Sequence, residues 1–164
     1  MGAADKSVAE RRRALRQGDE GAWANFVRLF QAGPQYRIEL IREGVAAGAV
    51  GELSALLAVS KESLMDALGI PRATLNRKVR EGRPLSPDES ERVLGVQALI
   101  GQVQTMVEQS GNAAGFDTAA WLSRWLNTPV TALGGKTPAS YLDTVEGQKY
   151  IANLLDTMRS GAYA

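Results

Sequence analysis

The amino-acid sequence predicts an all-α protein, and three observations carry that prediction. The alternating runs of β-branched residues that mark strands are missing from its 164 residues. Apolar residues recur three and four positions apart, the spacing that places side chains on one face of a helix. Polar residues stand where helix caps are needed, most clearly Ser86 followed by Pro87 and Glu89. We therefore expect helices joined by short turns.

The first third of the chain is expected to contain four helical segments. Residues 5–17 are polar and rich in arginine, which fits either a helix or a frayed arm. Residues 20–32 follow as a helix with Asp19 as its cap. Residues 36–44 and 49–59 give two shorter helices. The apolar stripe of the second segment consists of Trp23, Phe26, Val27 and Phe30.

Two short helices with a tight turn between them are predicted in the middle of the chain. Ser60 caps the first, and Gly69–Ile70 turns the chain into the second, which Pro71 opens and Gly82 ends. Ser86 then begins the longest helix, which ends before Gly111–Asn112. The apolar stripe of this longest helix consists of Val93, Leu94, Val96, Leu99, Ile100, Val103 and Val107.

The last third of the chain also reads as helix. Residues 117–127 form one helix, which Pro129 breaks, and residues 136–144 form one short helix. Thr144 then caps the final helix, which ends near residue 160.

Composition excludes several classes of function. The chain contains neither cysteine nor histidine, which removes disulfides, thiol nucleophiles, Cys/His zinc sites and histidine-based triads. No clustered Asp and Glu spacing suggests a carboxylate metal site, so we expect a protein that is not an enzyme and needs no cofactor. No apolar run approaches the ~20 residues that cross a bilayer, and the N-terminal segment lacks the apolar stretch of a secretory signal. We expect no membrane partner and a cytoplasmic location.

Positive charge is concentrated in the middle of the chain, although the formal net charge is only +1. Between residues 70 and 83, five basic residues stand against one acidic residue. The same segment has the pattern of a helix-turn-helix, in which a glycine turn and an apolar residue precede a helix that packs through residues four apart. Gly69, Ile70, Leu75 and Val79 supply that pattern.

The outward face of this second helix predicts DNA binding. Arg77 can make a two-pronged contact with guanine, and Asn76 can do so with adenine. Arg80 points the same way and Thr74 lies on the flank. A solvated basic face on an ordinary helix pair is the alternative. One such module binds weakly, so we expect a homodimer on paired half-sites. The residues suited to phosphate contacts are Arg72, Lys78 and Arg83.

The segment ALGGKTPAS, residues 132–140, ends like the phosphate-binding loop G-x-x-x-x-G-K-[ST]. The first glycine of that motif would fall at Val130, and Pro138 removes the N–H that would open a helix toward a phosphate. We predict a turn rather than a nucleotide site, with Thr137 as a helix cap and Pro138 at the first helical position.

Trp121 and Trp125 lie four residues apart and therefore share one face of their helix. Two interpretations of the pair remain open from residue chemistry. They are core residues of a small helical domain, or they are aromatic anchors of an interface with another protein.

Three C-terminal segments, AAWLSRWLNTP, ALGGKTPASYLDT and VEGQKYIANLLDTMRSGAYA, together resemble the toxin-binding domain of the Xre/MbcA/ParS antitoxins. The middle of the chain, LGIPRATLNRKVREGRPLSPDESERVLGVQALI, resembles the Xre-like helix-turn-helix half of the same antitoxins. The resemblance covers roughly residues 45–164. The residues that match the C-terminal pattern are Trp121, Leu122, Pro129, Leu133, Gly135, Pro138, Leu142, Thr144, Gly147, Leu154 and Gly161.

The resemblance implies an organisation and a set of partners. Residues 45–110 would form the Xre-like helix-turn-helix domain with its long connecting helix, and residues 111–164 a small helical toxin-binding domain with a C-terminal tail. Residues 1–44 would be a helical N-terminal extension of open role. Antitoxins of this group pair with a RES-domain toxin that consumes NAD, either by breakdown or by ADP-ribosylation. They also dimerise and repress their own operon by binding operator DNA.

The resemblance further implies that the C-terminal tail blocks the active-site cleft of the toxin. Gly161 would let the chain leave the helix, Tyr163 would supply an aromatic body with a hydroxyl, and Ala164 a carboxylate. The alternative for the tail is a frayed terminus. The alternative for the whole chain is a stand-alone helix-turn-helix regulator whose C-terminal domain dimerises or senses a ligand. The implied toxin-binding residues are Trp121, Trp125, Ser160, Gly161, Tyr163 and Ala164.

Overall fold

The computed structural model describes residues 20–161, which confirm the all-α fold class. Within these residues there is no strand, only one isolated β-bridge between Ala46 and Pro84. The helix expected over residues 5–17 and the Asp19 cap lie outside the described residues. The α-helices are α1 (Glu20–Gln31), α2 (Pro34–Glu43), α3 (Ala49–Leu57), α4 (Lys61–Leu68), α5 (Arg72–Glu81), α6 (Pro87–Gln109), α7 (Thr118–Leu126) and α8 (Val145–Arg159). Two 3-10 helices, Thr131–Leu133 and Pro138–Tyr141, lie between α7 and α8.

The helix starts lie where the polar residues predicted them. The Ser86 hydroxyl accepts a hydrogen bond from the backbone N–H of Glu89, and the Glu89 carboxylate accepts one from the N–H of Ser86, so α6 begins with a complete capping box. The side-chain oxygens of Ser60, Asp117 and Thr144 each accept a backbone N–H three residues on, at the starts of α4, α7 and α8. These bonds satisfy N–H groups that a helix leaves without a partner.

Helix α6 is the central element of the fold. It packs against α1, α2, α3, α4, α7 and α8. Its inward residues Val93, Val96 and Ile100 are completely buried, in one apolar cluster that runs from Ala47 to Leu155. The helix that the sequence presents as a connector between two parts therefore lies inside a core that both parts share. No helix of the described residues has the length and apolar character that a bilayer span requires.

Helix α1 approaches α6 at Gly101 more closely than a side chain would permit. A Cβ at Gly101 would overlap the carbonyl oxygen of Phe26 and would lie 2.9 Å from the backbone nitrogen of Val27. The backbone of α1 therefore rests directly on α6.

Two buried glutamines attach α8 to α6. Gln148 donates from Nε2 to the carbonyl oxygens of Arg92 and Leu142, both at 2.9 Å. Gln102 donates from α6 to the carbonyl oxygen of Ala152 at 2.9 Å. The Gln148 amide occupies the space that a Cβ at Gly95 would need. Because buried amides need partners, these bonds fix α8 on α6 with one register.

The residues before α3 and before α6 lie side by side and hold the middle of the chain in place. Leu85 donates its N–H to the carbonyl oxygen of Val45 at 2.8 Å, and Val45 donates to the hydroxyl of Ser90 at 2.9 Å. Gly44 has a φ of +84°, and a Cβ there would lie 2.9 Å from the Cβ of Pro84. The turn between α5 and α6 is thereby held against the core.

We expect Gly101→Ala to destabilise the protein by about 1–3 kcal/mol, the usual cost of forcing extra atoms into a packed site. The measurement is the free energy of unfolding in urea. Gly51→Ala in α3 is the matched control, because a Cβ there meets nothing within 4 Å. That change should stabilise the protein by roughly 0.5–1 kcal/mol through helix propensity. Equal effects of the two substitutions would contradict the close approach of α1.

Candidate functional site

Helices α4 and α5 form the predicted helix-turn-helix. Gly69 adopts a φ of +63° at the end of α4 and donates its N–H to the carbonyl oxygen of Asp66. Ile70 and Leu75 are buried in the core, as expected. Val79 is not, since 42% of it is exposed, and the prediction that it packs inward is wrong. Leu75 and Lys78 are the residues of α5 that point toward the core, and Val79 lies at the edge of that face.

The outward face of α5 carries most of the residues that predict DNA binding. Arg72, Asn76, Arg77 and Arg80 are exposed, and Thr74 is half-buried on the flank. The Arg72 guanidinium lies 3.0 Å from the Asp66 carboxylate in an exposed pair. No carboxylate in the described part of the chain lies within 4.0 Å of the guanidinium of Arg77 or Arg80. Both are available to an anionic partner.

Lys78 does not lie on this exposed face, although it was expected beside Arg72 and Arg83 among the residues suited to phosphate contacts. Its ammonium lies 2.5 Å from Glu89 Oε2, and the two side chains are only 15% and 10% exposed. The lysine side chain reaches inward to the first turn of α6, because Lys78 stands one helical turn after the buried Leu75. Arg83 remains on the surface, where its guanidinium lies 3.3 Å from the Glu81 carboxylate.

The surroundings of Glu89 shift the pKa of its carboxyl group. Burial raises its pKa, but the hydrogen bond from Lys78, the N–H of Ser86 and the charge of Lys78 together outweigh burial and hold the pKa below its usual range. Glu89 is therefore ionised at neutral pH, and a single carboxylate oxygen, Oε2, accepts from both Ser86 and Lys78.

A row of three aromatic rings lies along α7 and the residue before its cap. The Trp121 and Trp125 rings are stacked, with centroids 6.0 Å apart and planes 8° apart. The Phe116 ring lies 6.4 Å from Trp121 and is part of a residue that is 39% exposed. Both tryptophans pack on the core while remaining half-buried, so the row has a covered side and an open side. We call Phe116, Trp121 and Trp125 the aromatic row.

Sequence reasoning missed Phe116, although a signal for it exists. Phe116 precedes the Asp117 cap, and Trp121 is the fourth residue of α7. Apolar residues at these two positions commonly pack together as a hydrophobic staple.

Sequence reasoning also missed a second aromatic pair, which includes a residue of α8. The Tyr141 and Tyr150 rings meet edge to face at 5.7 Å, and Tyr150 is 48% exposed. Their separation of nine residues across a helix start gives no periodic signal.

The glycine-rich segment forms a closed turn. Gly135 donates its N–H to the carbonyl oxygen of Val130, and Lys136 donates to that of Leu133. These N–H groups are thus engaged inside the turn, where a phosphate loop would leave them free. Pro138 begins a 3-10 helix as predicted, but Thr137 precedes it without a side-chain capping bond.

The C-terminal tail is described only as far as residue 161. Ser160 is the C-cap residue of α8, and its hydroxyl donates to the carbonyl oxygen of Thr157 at 2.9 Å. Gly161 has a φ of +71°, a conformation that favours glycine and lets the chain leave the helix axis. Tyr163 and Ala164 lie outside the described residues.

Both halves of the chain match known protein families. Residues 37–97 match the antitoxin Xre-like helix-turn-helix domain, and residues 113–161 match the antitoxin Xre/MbcA/ParS C-terminal toxin-binding domain. The chain is 46% identical over 136 residues to the Prs ADP-ribosylating antitoxin of Sphingobium sp. (strain YBL2), which covers 83% of this chain and 86% of the relative. It is 23% identical over 128 residues to the antitoxin Xre of Yersinia enterocolitica, covering 77% and 80%. A third relative, the antitoxin Xre of Pseudomonas putida, is 26% identical over 92 residues, covering 56% and 52%.

Because the pKa of Glu89 is lowered in the folded state, the protein should lose stability as the pH falls from the ordinary glutamate value of about 4.3 through the folded-state value. Glu89→Gln should cost roughly 1.5–3 kcal/mol at pH 7, the range for hydrogen bonds to charged groups. That difference from the wild type should shrink below pH 4. Urea unfolding at several pH values measures both.

The matched control for this measurement is Glu81→Gln, which makes the same change in the exposed pair with Arg83. Exposed pairs contribute about 0–1 kcal/mol, so this variant should differ little from the wild type at either pH. A Glu89→Gln penalty that stayed constant from pH 7 to pH 3 would contradict the assigned role of the carboxylate.

Proposed function

This chain belongs to the Xre/MbcA/ParS family of antitoxins, and we propose on that premise that it neutralises a RES-domain toxin that consumes NAD and represses its own operon. The match of residues 113–161 to a toxin-binding domain carries the first half of the proposal. The basic outward face of α5 in a matched helix-turn-helix carries the second half. The chain itself acts without catalysis and without a cofactor, in the cytoplasm, where its operon lies.

The toxin would bind through the aromatic row and the C-terminal tail. A half-buried tryptophan pair offers a rigid apolar surface at little entropic cost, which is the property of interface anchors. Trp121 and Trp125 fit that description because core packing already holds one side of each ring.

The tail would enter the active-site cleft of the toxin. Ser160 and Gly161 bring α8 to an end and redirect the chain, which supports a segment that extends away from the domain surface. Tyr163 and Ala164 would then occupy the cleft and exclude NAD.

The reaction of the toxin would be ADP-ribosylation rather than simple NAD breakdown. The Sphingobium relative, 46% identical to this chain, carries the words Prs ADP-ribosylating in its name. Both reactions consume NAD, so blocking the nucleotide cleft would stop either of them.

The DNA-binding half would use α5 as the reading helix in the major groove. Arg77 and Asn76 would contact base edges, with Arg80 and Thr74 beside them, and Arg72 would contact phosphate. A homodimer would place two such helices on paired half-sites, which raises the affinity of a module that binds weakly alone.

We expect Arg77→Ala to weaken binding to the duplex upstream of the gene by about 5- to 150-fold, the effect of 1–3 kcal/mol per bidentate base contact. Fluorescence anisotropy with a labelled duplex measures the change. Arg159→Ala is the matched control, because it removes an exposed arginine that lies on α8 and not on α5. Equal affinities of the two variants would contradict reading by α5.

Co-expression with the neighbouring gene tests the toxin half. We expect the full chain to restore growth and to co-purify with the toxin. Deleting Tyr163 and Ala164 should abolish the protection of growth while DNA binding is retained, because the deletion removes no residue of α5 or of the buried core. Protection by the truncated chain would refute the blocking tail, and failure of the full chain to form any complex would refute the antitoxin proposal in favour of a DNA-binding regulator.

A further inference from the structure

We infer that Lys78 and Glu89 are positioning residues for DNA binding: their ion pair sets the orientation in which α5 presents its outward face. This inference rests on the proposed DNA-binding function. Neither residue needs to touch DNA in this role.

Helix α5 has few points of attachment, and this gives the ion pair its importance. All ten residues of α5 are described, and of these Leu75 alone is buried. A single buried side chain holds a helix at one point but leaves its rotation and tilt weakly defined. Lys78 lies one turn further along the same face and supplies the second point of attachment.

The receiving carboxylate is itself held in place by α6. Glu89 is the third residue of that helix and closes its capping box, with Oε2 accepting the N–H of Ser86 at 2.8 Å. The same oxygen accepts from the Lys78 ammonium. Glu89 Oε2 therefore connects Lys78 of α5 to the first turn of α6, where the N–H of Ser86 also holds this oxygen.

A phosphate contact by Lys78 is incompatible with this arrangement. The ammonium would have to leave Glu89, and the carboxylate would then remain in a largely buried position without its cation. Breaking a buried pair on one side is strongly unfavourable. Positioning and phosphate contact therefore make opposite predictions, which the salt dependence of DNA binding separates.

The experiment measures the affinity of the full chain for the duplex upstream of its gene over a range of salt concentrations. The variants are Lys78→Met, Glu89→Gln and Lys78→Arg, with Arg72→Met as the control for a lost phosphate contact. Far-UV circular dichroism at the assay temperature establishes that each variant is folded. For each lost phosphate contact, the slope of log K against log salt falls by about 0.9.

Positioning predicts that Lys78→Met weakens binding at least about fivefold, the loss of one misaligned base contact, with an unchanged salt slope. Arg72→Met should lower that slope by about one. Glu89→Gln is the sharpest test, because removing an acid strengthens binding to DNA if electrostatics alone act, whereas positioning predicts weaker binding. Lys78→Arg, which keeps a cation for Glu89, should restore most of the affinity.

Tighter binding by Glu89→Gln would overturn the inference. A salt slope reduced by about one in Lys78→Met would also overturn it and would make Lys78 a phosphate contact. Unchanged affinity in both variants would overturn it as well. Absence of binding by the wild-type chain is a separate result, which refutes the proposed DNA-binding function itself.

Discussion

Close approach to helix α6 at two glycines is the constraint on which the remaining packing depends. At Gly101 the backbone of α1 lies where a Cβ would be, and at Gly95 the amide of Gln148 does so. The closeness at Gly95 brings α8 near enough to α6 for the two buried glutamines to bond to backbone carbonyls across these two helices. Amide groups that are buried without partners are costly, so packing distance and polar satisfaction must be achieved together here.

The basic face of α5 and the aromatic row of α7 both lie on helices that bond to α6. The first turn of α6 holds α5 through Glu89, while its later turns hold α7, where the Thr118 hydroxyl donates to the side-chain oxygen of Gln104 at 2.6 Å. The aromatic row lies on α7 and α5 carries the basic face. A binding event on either surface therefore acts on elements that share one rigid support.

Local signals in the sequence predicted the helices, their caps and the turn of the helix-turn-helix, because these depend on neighbouring residues. The exclusion of a phosphate loop was likewise local, since it followed from Val130 and Pro138. The orientation of side chains against distant partners was harder to predict. The inward path of Lys78 and the outward position of Val79 depend on where the first turn of α6 lies. Helical spacing alone placed Val79 inward with Leu75 and left Lys78 at the edge. No local pattern in the sequence indicates that the backbone of α1 approaches α6 closely at Gly101.

The shared helix has a consequence for building hybrids between relatives. The two matched family regions, residues 37–97 and 113–161, leave a gap that falls within the second half of α6 and the turn after it. A hybrid of two relatives that is joined before residue 102 would take Gly95 and Gln102 from different parents. A hybrid that is joined after residue 102 would combine both of these residues from one parent with Gln148 from the other. A hybrid that takes only residues 113–161 from one relative would lack that relative's α6, on which α8 packs. A hybrid that keeps this packing would therefore need α6 and α8 from the same parent.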